Sequence, residues 1–368
     1  MVNIISYIDK YGNETFDKMN INEIDYAILT ILSYLNYDGI IKNDDTKVKL
    51  NKAIKSFFNK YEHNELLNHG VGLKDSYKIA KAIIDKKRYK DLEVHNYVYI
   101  TNDQIQFSAM CIDINKNLVF VSIEGTDDEV AGWKEDFQLS YAFPVPAQRA
   151  CINYLKKNVS LLNNKKYILS GHSKGGNLAL VGAMYMPFLK QHKIESIYSF
   201  DGPGLRKKEA SSYRYLSIKS KYHLIIPNYS IVGLLLNNNN DYKIVSSYKK
   251  GLYAHSIYNW RISGDKFYEA EELSNMSKSI DITITKWLDL YDAKTRKTFV
   301  EDLFNIFERC NIKTLYKIHA KDLKEISLVI KESKNLSKES KKMLKELLSI
   351  LFETVKEDTF LIFKSKQD

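Results

Sequence analysis

One run of residues restricts the possible folds more than any other, the segment YILSGHSKGGNLAL from Tyr167 to Leu180. Its first residues are apolar and strand-like, and its last are rich in Leu and Ala. Between them stands Gly171-His172-Ser173-Lys174-Gly175, a G-x-S-x-G sequence. A strand that turns directly into a helix needs a sharp bend, with the serine strained at its apex. Side chains two before and two after that serine would strike neighbouring backbone, which accounts for Gly171 and Gly175. Ser173 would then project its hydroxyl above a sheet at a helix N-terminus, where the dipole favours developing negative charge. The alternative is a tight Gly-rich turn with an inert serine.

The rest of the chain is organised around this bend. All five prolines lie between Pro144 and Pro227, and eleven of the fifteen glycines lie between Gly125 and Gly264. The last 104 residues contain neither. That map describes a turn-rich centre between helical ends, and excludes collagen-like and Pro/Gly-rich low-complexity chains. We expect a helical N-terminal segment over residues 1–90, an α/β core over 91–265, and a helical C-terminal extension over 266–368.

In the first segment Ile24, Ala27, Ile28, Ile31 and Leu35 recur at helical spacing, with Asn22 as N-cap and Gly39 as stop. From residue 94 the text changes to VHNYVYIT, QIQFSAMCIDI and LVFVSIEG, separated by Asn/Asp/Lys turns, which predicts a meander of strands. Helices over 145–162 and 175–190 then alternate with strands KKYILSG, IESIYSFDG, KYHLIIP and DYKIVSSY. Such alternation predicts helices on a mostly parallel sheet. Helical text resumes near Phe267, and the stretch 336–358 is amphipathic. Packing against neighbouring helices is the first reading of that stripe, and peripheral membrane contact is the alternative.

The net charge of +10 raises nucleic acid as a partner, but the charges are interspersed and no nucleic-acid-binding motif is present, so none is expected. Cys111, Cys151 and Cys310 fit neither a disulfide framework nor a zinc motif. No metal and no cofactor is expected. Without a secretory leader pattern or an apolar run long enough to cross a bilayer, a cytoplasmic location is expected.

A nucleophilic serine needs a base, and in this fold the chain order is serine, acid, histidine. His192 ends the helix that Ser173 begins, His223 starts a strand at its wrong end, and His319 lies in the tail. His255, in GLYAHSIYNW, follows the last predicted strand and is the candidate base. Asp201 follows the strand IESIYSF and is the leading candidate acid, with a plain turn role in Asp-Gly-Pro-Gly as its alternative. Asp241 is a weaker candidate because it begins a strand. Oxyanion donors are expected at the Lys174 N–H and at Thr126, in the Gly125-Thr126-Asp127 loop.

The residues Gly125, Thr126, Trp133, Asp136, Gly171, His172, Ser173, Gly175 and Gly176 together resemble the pattern of class 3 lipases of the α/β-hydrolase superfamily. A closer resemblance is to the Mbeg-like family of bacterial proteins of unknown function. NEIDYAILTILSYLNYDG, GTDDEVAGWKEDF, VPAQ, GHSKGGNLA, SFDGPG, NYSIVGLLL and AHSIYNW look like its motifs, in the same order. The resemblance covers roughly residues 1–310. A serine hydrolase acting on a small-molecule or lipid ester is the leading reading of the residues; the resemblance implies an α/β-hydrolase core with helical additions and a Ser-His-acid site, but no known substrate. It says nothing of which substrate or of oligomeric state. The lipases carry their acid after the strand matching HLIIP, where this chain has Asn228 to Ser230. Either Asp201 substitutes for it, or the site is a Ser-His dyad, or catalysis is impaired. A non-catalytic binding or scaffold role on a hydrolase fold is therefore the competing reading.

Overall fold

The computed structural model describes residues 2–61, 71–102, 104–126, 130–239, 241–312 and 323–346. Two helices, α1 (Ile4–Tyr11) and α2 (Glu23–Ile31), open the chain, each on an asparagine cap. Asn22 accepts from the N–H groups of Ile24 and Asp25, as the sequence predicts. The helix stops short of Gly39. It tightens into a 3₁₀ turn over Leu32–Tyr34 and ends at Leu35, whose backbone is extended, and Gly39 occupies a later positive-φ turn. Strand β1 (Val48–Lys49), α3 (Leu50–Lys60) and α4 (Val71–Ile83) complete the segment.

The predicted meander is present as β2 (Glu93–Asn102), β3 (Ile105–Asn115) and β4 (Leu118–Ile123), paired antiparallel. After α5 (Val130–Gln138) and α6 (Pro146–Asn158) come β5 (Lys166–His172), α7 (Lys174–Met184), β6 (Ile194–Phe200), β7 (Tyr222–Pro227) and β8 (Lys243–Val245). From β4 to β8 every pairing is parallel. Helix α7 is shorter than the predicted 175–190. Tyr185 caps it, and Pro187 cannot continue it.

The eight strands lie in chain order across one sheet. Right-handed crossovers that always step to the next neighbour place all their helices on one face. Burial follows that rule. Cys111, Val121 and Leu169 point to a core shared with α6 and α7. Their alternates Met110, Ile112, Phe120 and Ile168 point the other way, to a core shared with Ile24, Ile28 and Ile31 of α2 and with α1, α3 and α4. The N-terminal helices thus cover the face that the crossovers leave bare. They are pinned by Arg88, whose fully buried guanidinium forks onto Asp25 and also donates to the carbonyls of Glu14, Met19 and Asn20.

After β8 a hairpin (Ile262–Ser263 with Lys266–Phe267) precedes the first C-terminal helix, α8 (Asn275–Leu290). Helices α9 (Ala293–Arg309) and α10 (Leu323–Glu332) follow. Phe299, Leu303, Phe304 and Phe307 of α9 form a separate cluster with Met343 and Leu344, against Trp133 and Phe137 of α5 and Tyr141 just beyond it. Of the amphipathic stretch 336–358, the part from 347 onward lies outside the described residues.

Candidate active site

The parallel strands end side by side, and their C-terminal loops gather the predicted residues. Ser173 directly follows β5 and donates its N–H to Phe200 of β6, while Asp201 follows β6 and donates its N–H to Ile225 of β7. Both are non-glycine residues at positive φ, +57° for Ser173 and +50° for Asp201. Such strain persists only where the surroundings over-determine it. At Ser173 the glycines do so. A Cβ on Gly171 would sit 2.1 Å from the Gly175 carbonyl carbon, and one on Gly175 would sit 2.4 Å from the Ile123 carbonyl oxygen. Ser173 thus stands on a sharp bend between β5 and α7, where the sequence reading expects an elbow.

His255 Nδ1 lies 2.6 Å from Asp201 Oδ2, and Asp201 is fully buried. Its other oxygen accepts from Ser230 Oγ at 2.5 Å and from the Gly233 N–H at 3.1 Å. The segment after β7, where the lipase pattern would place an acid, therefore supplies donors to Asp201. Asp241 is surface-exposed and pairs with Lys219 at 3.3 Å. His192 bonds the Phe188 carbonyl and His223 stacks on Tyr198; His319 lies outside the described residues.

Ser173, His255 and Thr126 line one small cavity with Tyr34, Asp75, Trp133 and Ser256. Its volume is about 30 Å³. Thr126 Oγ1 donates to Asp136 Oδ2 at 2.6 Å. Burial pushes the Asp136 carboxyl up to about 6, against the opposing pull of the Lys174 cation and the Thr126 hydrogen bond. Asp75 is likewise raised to about 6 by burial, with Ser256 Oγ as its hydrogen-bond donor.

Several side chains hold contacts that the sequence reading did not assign to them. His172 is fully engaged. Its Nε2 faces the His255 carbonyl at 2.9 Å, and its Nδ1 faces the Tyr34 hydroxyl at 2.8 Å. A carbonyl only accepts, so Nε2 carries the proton and Nδ1 accepts from Tyr34. Burial, then the neighbouring His255, hold this imidazole neutral, well below its ordinary range. Lys174 is the second. Its side chain is fully buried, with Nζ 3.0 Å from Glu135 Oε2. Ser230, Gly233 and Ser256 lie within the NYSIVGLLL and AHSIYNW segments, so the segments were visible but the individual partners were not.

The eight-stranded, mostly parallel sheet flanked by helices is an α/β-hydrolase-like fold. The chain belongs to the Mbeg1-like family, whose model matches residues 83–305. Among solved structures it is similar to M37 lipase, with 17% identity and a TM-score of 0.35 over 58% of this chain and 70% of that one. It is also similar to a fungal lipase–inhibitor complex, with 15% identity and a TM-score of 0.31 over 55% and 78%. A mutant form of MDLA from Penicillium cyclopium gives 11% identity and a TM-score of 0.37 over 72% and 87%. No curated protein matches the chain. Among the described residues no helix is long and apolar enough to cross a membrane.

Proposed function

We propose that this protein is a serine hydrolase of esterase or lipase type, acting on a carboxylic ester of a small molecule or lipid through Ser173, His255 and Asp201. The observation that carries this reading is the 2.6 Å contact between His255 Nδ1 and the buried Asp201, behind a histidine that shares a cavity with the elbow serine. In this reading Asp201 is the acceptor, Nδ1 carries the proton and Nε2 is the basic nitrogen.

In the acylation step Ser173 Oγ attacks the ester carbonyl while His255 Nε2 takes its proton. Asp201 holds the tautomer and stabilises the imidazolium. The N–H groups of Lys174 and Thr126 receive the oxyanion, and His255 returns the proton to the departing alcohol. Water then attacks the acyl-enzyme by the same route in reverse, releasing the acid. A fluorophosphonate probe tests the reading. Wild type is expected to label on Ser173 and Ser173→Ala is expected not to; equal labelling of the two would sink the assignment.

A further inference from the structure

We propose that the buried Lys174–Glu135 ion pair is a positioning device that holds the two oxyanion donors in register, an inference that rests on the hydrolase reading above. Lys174 has two separate roles in this arrangement. Its backbone N–H is one proposed donor. Its side chain turns under the elbow and places Nζ 3.0 Å from Glu135 Oε2, both groups almost wholly buried. Glu135 is equally committed, since its other oxygen accepts the Ala147 N–H at 2.7 Å where α6 begins.

The far end of this pair leads to the second donor. Asp136, next to Glu135 on α5, accepts the hydroxyl hydrogen bond of Thr126 at 2.6 Å. Gln106 completes the connection from the sheet. Its Oε1 lies 3.5 Å from Lys174 Nζ, and its Nε2 donates to the Gly125 carbonyl at 3.4 Å. Glu135 and Gln106, both beside the ammonium, are each one residue and one hydrogen bond removed from Thr126. Stability alone gives little reason for such a pair. Buried ion pairs are often matched or exceeded by apolar residues of similar volume, and methionine would fill the same space as this lysine. What methionine could not do is fix α5 and the Gly125–Thr126 loop relative to the elbow by directed contacts.

The decisive variant is Lys174→Met combined with Glu135→Gln, which removes both charges of the pair together. Activity is measured on p-nitrophenyl butyrate and normalised to the serines that a fluorophosphonate titrates. The double variant is expected to keep its melting temperature near that of wild type, to lose about tenfold to a hundredfold in kcat per titrated serine, and to hold KM within about twofold, as loss of oxyanion stabilisation dictates. Glu135→Asp keeps the charge and shortens the reach by one methylene, so it tests the same point with less risk to folding; a loss in kcat of about threefold to tenfold is expected. An unchanged kcat per titrated serine in either variant, whatever happens to the melting temperature, would overturn the positioning role and leave the hydrolase reading standing. A wild type that neither labels nor turns over would overturn both.

Discussion

At the scale of single residues, Asp201 is the test of how this site differs from the lipase pattern. It sits on a strained backbone and is held by Ser230 and Gly233. Asp201→Asn can present its amide N–H₂ to His255 Nδ1 and so stabilise the wrong tautomer. Turnover is then expected to fall by about 10³–10⁴-fold while fluorophosphonate labelling slows but persists. Ser230→Ala removes one donor to the same carboxylate, and a smaller loss, about tenfold in kcat, is expected. Asp75 allows a pH prediction. Its folded pKa is about 6, above the ordinary 3.8, so the folded state binds the extra proton between those values. Its contribution therefore turns destabilising as pH rises through that window and stays so above it. Asp75→Asn keeps an acceptor for Ser256 without the charge. It should raise stability at pH 7–8 by about 1–3 kcal/mol and leave it unchanged near pH 4, measured by urea unfolding at several pH values.

At the scale of elements, the sequence was legible where the signal is local. The elbow could be read because two glycines and a serine at fixed spacing are a backbone requirement, and Asn22 could be read because a cap acts within three residues. The Asp201–His255 contact spans 54 positions, and a sequence offers only candidates for such a pair. Lys174 was read for its N–H alone, because nothing local reveals that its side chain finds Glu135 on another helix. The helix begun by α2 ends at Leu35, where the backbone turns extended four residues before Gly39, and no local residue signal marks that point. Arg88 and Asp25 give the corresponding prediction for packing. Each is fully buried, and removing one strands the other. Asp25→Ala is expected to cost about 3–5 kcal/mol in denaturant unfolding, whereas Arg88→Met with Asp25→Leu should recover part of that loss.

At the scale of the whole molecule, the two helical ends relate differently to the sheet. Helices α1 to α4 share one buried cluster with Met110, Phe120, Ile168 and Phe200 of the strands. The α9 cluster is separate and meets the core through Trp133 and Phe137 of α5. Regions with fewer ties to the main core open at lower free energy. Hydrogen exchange is therefore expected to be faster in α8 and α9 than in α2 or β5, with α5 intermediate. Equal protection across all of them would contradict this reading of the clusters.

The chain-order sheet also bears on how the protein is made. The apolar sides of α1 and α2 leave the ribosome before the strands do, and the sheet face that buries them is complete only when β8 has been synthesised. Tyr34 must likewise wait for His172. The earliest part of the chain thus cannot settle until most of the rest exists, which makes this a fold of long-range contacts, slow to close and open to aggregation in the interval. A nascent chain cut before β6 should be held by chaperones, whereas one released after the Lys266–Phe267 strand should be able to close both faces.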